Sequence, residues 1–225
     1  PVVRLVDRVL TARMSEYVVH AVLQHHRRVA HYTAAQARRE WDVRVQRVGT
    51  RVGILGLGAL GADAAHKLSV LGFAVAGWSR RTKAIPEIES FTGADGLHRL
   101  AARSDVLVCL LPLTAATRGI VDAALLARLP DGATVVNPAR GGLIVDEDLL
   151  AALDSGRLEG AALDTFKDEP LPADHPYWVN PKVTVTPHVA SRTDALSAAA
   201  QLVDNMRRAR SGRPLLNLVD RDRGY

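Results

Sequence analysis

One six-residue segment constrains the fold of this sequence more than any other. Residues 56–61 read Gly-Leu-Gly-Ala-Leu-Gly, a G-x-G-x-x-G pattern. An apolar run typical of a strand, 51–57, leads into it, and an amphipathic run typical of a helix, 59–71, follows it. A strand, a glycine turn and a helix in this order form the phosphate-binding unit of dinucleotide-binding domains. The segment therefore predicts a domain that binds a dinucleotide, and the alternative is a glycine turn without a ligand.

Each glycine of this segment has a predicted task. Gly56 would allow the tight turn, Gly58 would let the backbone approach a pyrophosphate, and Gly61 would let the helix pack closely on the strand. Ala59 and Leu60 begin the helix, where unpaired N–H groups and the helix dipole favour phosphate. We therefore expect all five residues to line the cofactor site.

Apolar runs alternate with helical stretches along the rest of the chain. Because continuous apolar strands alternate with helices, the pattern predicts a parallel sheet covered on both faces. The fold class is therefore α/β, a doubly wound parallel sheet of the Rossmann type. Besides the phosphate-binding unit, the predicted strands are 74–78, 106–111, 134–137, 160–164 and 183–186, and the predicted helices are 14–40, 146–154 and 191–210.

The charge of the chain is concentrated near its beginning. Of the 29 basic residues 25 are arginine, and residues 1–51 hold ten arginines against four acidic side chains. A basic segment can indicate a nucleic-acid partner. No zinc-finger spacing, aromatic-studded basic strand or block of like charge accompanies it, so a solvated or interface helix face is favoured. We expect no nucleic-acid partner.

Other sequence features bear on location and metals. No apolar run approaches the roughly 18 residues that a membrane span requires, and no secretory leader pattern is evident, so we expect no membrane association. The single cysteine, Cys109, cannot form an internal disulfide, which favours the cytoplasm. His25, His26 and His31 have no carboxylate or cysteine at ligand spacing, so we expect no metal site.

The loop after the second strand bears on cofactor choice. A site for NAD carries an acidic residue about 20 residues after the glycines, where it binds the ribose hydroxyls. Here residues 78–83 read Trp-Ser-Arg-Arg-Thr-Lys, and no acidic residue lies between Asp63 and Glu87. Arg80 and Arg81 could bind a 2′-phosphate through charge-assisted hydrogen bonds. The loop therefore favours NADPH over NADH, and the alternative is a solvated basic loop.

Three candidate catalytic residues follow later strands, where ligands bind in open parallel sheets. Arg140 could hold a substrate carboxylate with two parallel hydrogen bonds. His188 could donate a proton to a carbonyl oxygen as hydride reaches the carbon, and Glu169 would favour its charged form. Spacing alone leaves simpler readings open: Arg140 in an ion pair, His188 in a turn and Glu169 as a solvated loop residue.

Several motifs resemble the D-isomer-specific 2-hydroxyacid dehydrogenase family. Within that family, residues 14–23, 78–81 and 219–225 are similar to the glyoxylate and hydroxypyruvate reductases, which prefer NADPH. Together the motifs span nearly the whole chain. They are GLGALG at 56–61, LPLTAATRGIV at 111–121, NPARGGLIVDEDLLAAL at 137–153, ALDTFKDEPLP at 162–172 and TPHVAS at 186–191.

The resemblance implies roles for individual residues. Arg140, Glu169 and His188 are implied as the catalytic trio, with the roles given above. Family members are usually dimers through their cofactor domains, which would place the basic helix 14–40 in the interface. The implied cofactor-binding residues are Gly56, Gly58, Ala59, Leu60, Gly61, Trp78, Ser79, Arg80, Arg81, Leu111, Pro112, Thr117, Pro138, Ala139 and Asp164.

The implied function is NADPH-dependent reduction of glyoxylate or hydroxypyruvate to the 2-hydroxy acid. The alternatives are a cofactor-sensing binding protein of the corepressor type and a dehydrogenase of another 2-hydroxy acid. We expect 1–13 to be a remnant of the crossing between two domains, 14–190 the dinucleotide-binding domain, and 191–225 a helix and tail returning toward the substrate domain. Because most of that second domain is not in the sequence, we expect these residues alone to show little or no turnover.

Overall fold

A seven-stranded parallel sheet forms the centre of the molecule. The computed structural model describes residues 1–45 and 47–220. The strands lie in the order β3-β2-β1-β4-β5-β6-β7, and neighbouring strands pair in parallel. This is the predicted doubly wound α/β sheet. The strands are β1 Arg51–Leu55, β2 Ala74–Trp78, β3 Glu89–Phe91, β4 Val106–Cys109, β5 Ala133–Asn137, β6 Leu158–Leu163 and β7 Val183–Val185.

Helices cover both faces of this sheet, as the continuous apolar strands predict. α1 and α3 share one buried cluster with strand residues such as Ile54 and Val108. α4, α5 and α6 share a second cluster with residues such as Leu107 and Val135. The helices are α1 Arg8–His26, α2 Val29–Ala37, α3 Ala59–Val70, α4 Gly93–Ala102, α5 Ala123–Leu126, α6 Asp146–Asp154 and α7 Ala195–Arg210.

The strand order reverses direction between β1 and β4. From β1 the chain proceeds outward to β2 and β3, and it then returns to place β4 on the other side of β1. The backbone N–H of Leu110 donates to the Leu55 carbonyl at 2.7 Å, which holds the two strand ends together. Ligands of such sheets bind at the carboxyl ends of the strands beside this reversal.

The prediction of one long helix over 14–40 is wrong, because the structure has two helices there. α1 begins earlier, at Arg8, and ends at His26. Arg28 has φ 55°, in the left-handed region, and this breaks the helix before α2 begins at Val29. The break comes at two arginines, with neither a glycine nor a proline to mark it. After α2 an exposed segment leads toward β1.

Smaller differences concern three further elements and the start of the last helix. β3, α4 and α5 were not predicted. β3 has three residues at the edge of the sheet, and α4 contains Gly93 and Gly96, which are poor helix formers. α7 begins at Ala195 rather than residue 191, because the Asp194 side chain caps it by accepting the N–H of Ser197 at 2.9 Å.

The beginning and the tail of the described chain lie side by side. Val3 and Leu218 form an antiparallel bridge, and the N–H of Arg4 donates to the Asn217 carbonyl at 2.8 Å. The proposed tail of 191–225 extends beyond this bridge, but residues 221–225 lie outside the described residues. The division of the chain at residues 13 and 190 stays a prediction.

The structure also bears on two sequence expectations about location. Within residues 1–45 and 47–220, no helix is long and apolar enough to cross a membrane. Cys109 lies buried in β4 as a free thiol, and burial raises its pKa to about 12. The cytoplasmic location stays a prediction.

Candidate active site

The phosphate loop has the close contacts that its glycines predict. Gly56 has φ 108°, and a Cβ there would lie 2.6 Å from the Leu110 carbonyl oxygen. A Cβ on Gly61 would lie 1.8 Å from the Gly56 carbonyl oxygen. A Cβ on Gly58 would meet no atom within 4 Å, so this glycine faces open space. Two of the glycines are therefore required by the fold, while the third leaves room for a ligand.

The beginning of α3 is available to a phosphate group. Gly58 is the N-cap residue, and no side chain caps this helix end. Gly58 and Ala59 are exposed and Leu60 is half-buried. The first N–H groups of a helix lack partners within the helix, and the helix dipole adds partial positive charge. This end of α3 is therefore suited to a pyrophosphate.

The loop after β2 is held by two of the predicted cofactor residues. The indole N–H of Trp78 donates to the Gly93 carbonyl at 2.8 Å. The buried Ser79 hydroxyl donates to the Arg81 carbonyl at 2.6 Å. Arg80 and Arg81 are exposed. Trp78 and Ser79 thus shape the loop that carries the two guanidinium groups at the edge of the crevice.

The loop after β4 contains three further predicted residues. Leu111 is buried and Pro112 half-buried. The Thr117 hydroxyl donates to the Pro112 carbonyl at 2.6 Å and accepts the N–H of Thr114 at 2.8 Å. Because a hydroxyl has one proton, Thr117 uses its donor capacity to close its own loop. The Thr117 hydroxyl therefore has a structural role, which is to hold the loop of residues 112–117 together.

The loop after β5 presents Arg140. Pro138 and Ala139 are buried, and the Asn137 side chain holds the turn by donating to the Arg140 carbonyl at 2.9 Å. The Arg140 guanidinium donates to the Ala139 carbonyl at 2.6 Å. The residue is otherwise exposed at the edge of the sheet.

Glu169 lies in the loop that follows β6, and this loop packs against the loop after β5. A Cβ on Gly141 would lie 1.9 Å from the Phe166 carbonyl carbon, so the two loops are pressed together. The Phe166 N–H donates to Glu169 Oε1 at 2.9 Å. Burial would raise the pKa of Glu169. The hydrogen bonds from His188 and Phe166, with the charges of His188 and Arg140, outweigh burial and hold this pKa below its usual range.

His188 faces Glu169 across the ends of β6 and β7. Its Nδ1 lies 2.7 Å from Glu169 Oε2. An ionised carboxylate only accepts hydrogen bonds, so Nδ1–H donates and Nε2 remains for another group. The His188 side chain is 48% exposed. Its φ of 52° is unusual for a residue other than glycine, and such conformations are concentrated at functional sites.

Asp164 holds the turn that contains His188. Its buried carboxylate accepts the Thr186 hydroxyl at 2.6 Å and the N–H groups of Val189 and Ala190 at 2.9 Å each. Its backbone carbonyl accepts the N–H of His188 at 2.8 Å. The resemblance implies Asp164 as a cofactor-binding residue. In the structure its side chain is bonded to the His188 turn, and Thr186 is a site residue that the sequence analysis did not select.

The predicted residues therefore lie in loops along one edge of the sheet. The phosphate loop and the two arginines follow β1 and β2, Leu111, Pro112 and Thr117 follow β4, and the trio of Arg140, Glu169 and His188 follows β5, β6 and β7. In the part of the chain that the structure describes, no three His, Cys, Asp or Glu side chains are placed to hold a metal ion.

An open parallel sheet with a phosphate loop and a His–carboxylate pair at the strand ends defines a Rossmann-type oxidoreductase domain. The family model of the "D-isomer specific 2-hydroxyacid dehydrogenase, NAD binding domain" matches residues 19–190. The chain belongs to this family, whose members are NAD(P)-dependent dehydrogenases of 2-hydroxy acids or reductases that form them.

Individual relatives agree with this membership. A glyoxylate/hydroxypyruvate reductase A from Klebsiella pneumoniae is 43% identical over all of this chain and 73% of its own length. A family member from Xanthobacter autotrophicus Py2, solved with NADPH and MES, is 44% identical with TM-score 0.98, covering 100% of this chain and 94% of that one. A third relative is the NADPH-dependent glyoxylate/hydroxypyruvate reductase of Sinorhizobium meliloti, solved with NADP and sulfate. It is also 44% identical, with TM-score 0.97, and the match covers 100% of this chain and 73% of that one.

Proposed function

We propose that this protein uses NADPH to reduce a small 2-oxo acid, glyoxylate or hydroxypyruvate, to the corresponding 2-hydroxy acid. The observation that carries the proposal is the His188–Glu169 pair at 2.7 Å, with Arg140 on the adjoining loop. The relatives named as glyoxylate/hydroxypyruvate reductases support the choice of substrate.

His188 is the proton donor of the proposed reaction. Its Nδ1–H is occupied by Glu169, so Nε2 is the nitrogen that can reach a substrate carbonyl oxygen. The carboxylate of Glu169 fixes the ring orientation and stabilises the imidazolium. Arg140 binds the substrate carboxylate through its exposed guanidinium, which places the carbonyl between Arg140 and His188.

The residues at the other end of the crevice fit NADPH. The open side of Gly58 and the uncapped start of α3 would hold the pyrophosphate. Arg80 and Arg81 would hold the 2′-phosphate, which a carboxylate at this position would repel. When bound, NADPH supplies the hydride that reaches the carbonyl carbon, while the proton from His188 completes the hydroxyl group.

The test is NADPH oxidation by the full-length protein with each of the two acids. His188→Gln should lower kcat by at least about a hundredfold, the scale of general acid catalysis, and leave the Kd for NADPH nearly unchanged. Exchanging Arg80 and Arg81 together for serine should weaken NADPH about tenfold or more while sparing NADH. Tight NADPH binding with negligible turnover in the unaltered protein would instead favour the corepressor-type reading. Persistent reduction by His188→Gln would show that another group is the acid.

We also propose a homodimer formed through the cofactor domain. The segment after α2 exposes several large apolar side chains, and Trp41 among them is 96% exposed to solvent. Val43, Val45 and Val48 are exposed with it, and several exposed apolar side chains in one short segment are consistent with an interface. Light scattering should give twice the protomer mass, and Trp41→Ser should reduce it. The control is Trp178→Ser, because that exposed indole is already bonded to the Pro172 carbonyl. A monomeric unaltered protein would refute the proposal.

A further inference from the structure

The loop that carries His188 is attached to α1 at three points. The Tyr17 hydroxyl lies 3.0 Å from Thr186 Oγ1, just before His188. On the far side of His188, the Ser191 hydroxyl donates to the Leu10 carbonyl at 2.7 Å. Next to it, the Arg13 guanidinium donates to the Arg192 carbonyl at 2.9 Å. The seven residues 186–192 are thus fixed to one face of one helix, with His188 between the attachments.

The direction of the hydrogen bonds makes a continuous chain from α1 to the loop. The Asp164 carboxylate can only accept, so the Thr186 hydroxyl donates its single proton to Asp164. The Tyr17 hydroxyl must therefore be the donor toward Thr186. Asp164 in turn accepts the N–H groups of Val189 and Ala190. The hydrogen bonds thus converge on the Asp164 carboxylate, from Tyr17 through Thr186 on one side and from the two peptide N–H groups that follow His188 on the other.

Tyr17 keeps this donor role over a wide pH range. Burial raises its pKa to about 12; the bond to Thr186 opposes the rise, and the negative charge of Asp164 adds to it. The phenol therefore keeps its proton at neutral pH. The ring of Tyr17 also lines, with Arg13 and Arg192, an open groove of about 670 Å³ beside the His188 turn.

We propose that Tyr17 is a positioning residue for the proton donor, acting from α1 through Thr186 and Asp164 on the turn that holds His188. The inference rests on the proposed role of His188. That turn needs support, since the backbone of His188 lies in the left-handed region, and the His188–Glu169 distance depends on it. Tyr17 makes no contact with the reacting atoms in this scheme, so it sets the rate of proton transfer rather than cofactor affinity.

The first experiment compares Tyr17→Phe with unaltered full-length protein in NADPH-dependent reduction of hydroxypyruvate. Loss of one partly buried hydrogen bond corresponds to a fall in kcat of about threefold to tenfold. The Kd for NADPH should stay within about twofold. Thr186→Val should show at least the same loss, and Thr186→Ser should restore most of kcat because it restores the hydroxyl. Tyr32→Phe on α2 is the matched control, and it should behave like the unaltered protein.

The second experiment measures hydrogen exchange at the amides of Val189 and Ala190. Tyr17→Phe should speed their exchange several-fold, whereas Tyr32→Phe should not. Unchanged exchange and unchanged kcat in Tyr17→Phe would overturn the inference. A uniform rise in exchange over the whole chain, with kcat and NADPH affinity lost together, would also overturn it, because that pattern indicates general destabilisation. Failure of the proposed function is seen separately, as reduction that survives His188→Gln.

Discussion

Gly58 and Gly61 give a matched pair of variants that separates ligand binding from folding. Both are glycines of the same loop, and both can be changed to alanine. A Cβ at Gly61 would lie 1.8 Å from the Gly56 carbonyl oxygen, which belongs to the backbone and cannot rotate away. A Cβ at Gly58 would meet no atom within 4 Å, and its φ of −76° suits alanine. We therefore expect Gly61→Ala to damage the fold and Gly58→Ala to damage NADPH binding.

The magnitudes follow from these contacts. Overpacking of this kind costs about 1–3 kcal/mol or more, which lowers the Tm of a domain of this size by roughly 2–12 °C. At Gly58, loss of a good N-cap residue and loss of chain entropy in the unfolded state nearly cancel, leaving the Tm within roughly 3 °C. NADPH at a hundred times its Kd stabilises the folded state by about 2.7 kcal/mol. The unaltered protein should therefore show a rise in Tm on adding NADPH, and a Kd raised tenfold in Gly58→Ala should remove about half of that stabilisation.

The assay is thermal unfolding followed by circular dichroism, with and without NADPH, together with a fluorescence titration of NADPH. Gly61→Ala should unfold early in the absence of ligand. Gly58→Ala should unfold like the parent and give a Kd raised at least tenfold. If Gly58→Ala kept the full rise in Tm on adding NADPH, the pyrophosphate would not lie against this glycine. If Gly61→Ala unfolded at the parent Tm, the close packing of α3 on the loop would be wrong.

Two further predictions concern groups away from the crevice. The side chain of His25 is 3% exposed. Its Nδ1–H donates to the Thr134 hydroxyl, and its Nε2 accepts from the Arg47 guanidinium. Burial and the charge of Arg47 lower the pKa of His25 from 6.5 to about 4. Below about pH 6.5 the unfolded chain therefore binds a proton at His25 that the folded chain does not bind. The free energy of unfolding measured in urea should be about 2 kcal/mol lower at about pH 5 than at about pH 7.5. His25→Gln should flatten this pH dependence and the exposed His66→Gln should not, so an unchanged slope in His25→Gln would contradict the assignment. The buried Cys109, with its pKa raised to about 12, should not react with a thiol reagent at about pH 8 until denaturant is added, whereas a fast reaction in the native protein would show that β4 is accessible.

Much of the fold could be predicted because its signals are local. The strand over Ala74–Trp78 and the helix over Asp146–Asp154 were predicted with the bounds that the structure has, since apolar runs and an acidic first turn mark them directly. The break between α1 and α2 could not be predicted, because the residue in the left-handed conformation is Arg28 and not a glycine that would mark a helix end. β3 is stabilised by pairing with β2 rather than by its own three residues, so its sequence carries little signal.

The candidate site divides in the same way. Arg140, Glu169 and His188 could be selected because each follows a strand, and the carboxyl ends of parallel strands share one edge of the sheet. The structure brings Glu169 and His188 within hydrogen-bond distance, while the catalytic roles of the three stay predictions. Tyr17 and Thr186 are 169 positions apart in sequence, and their contact depends on how α1 packs against the sheet. No local pattern in a single sequence reports such packing.

The order of the strands also has a consequence for how the protein can change over time. The loop of Arg80 and Arg81 follows β2, and Asp164 follows β6, with β1, β4 and β5 between them. At about 4.8 Å per strand the two loops are roughly 19 Å apart. Substitutions at that separation add nearly independently. The proposed 2′-phosphate loop can therefore change its coenzyme preference while the proposed proton donor and the residues that hold its turn stay the same.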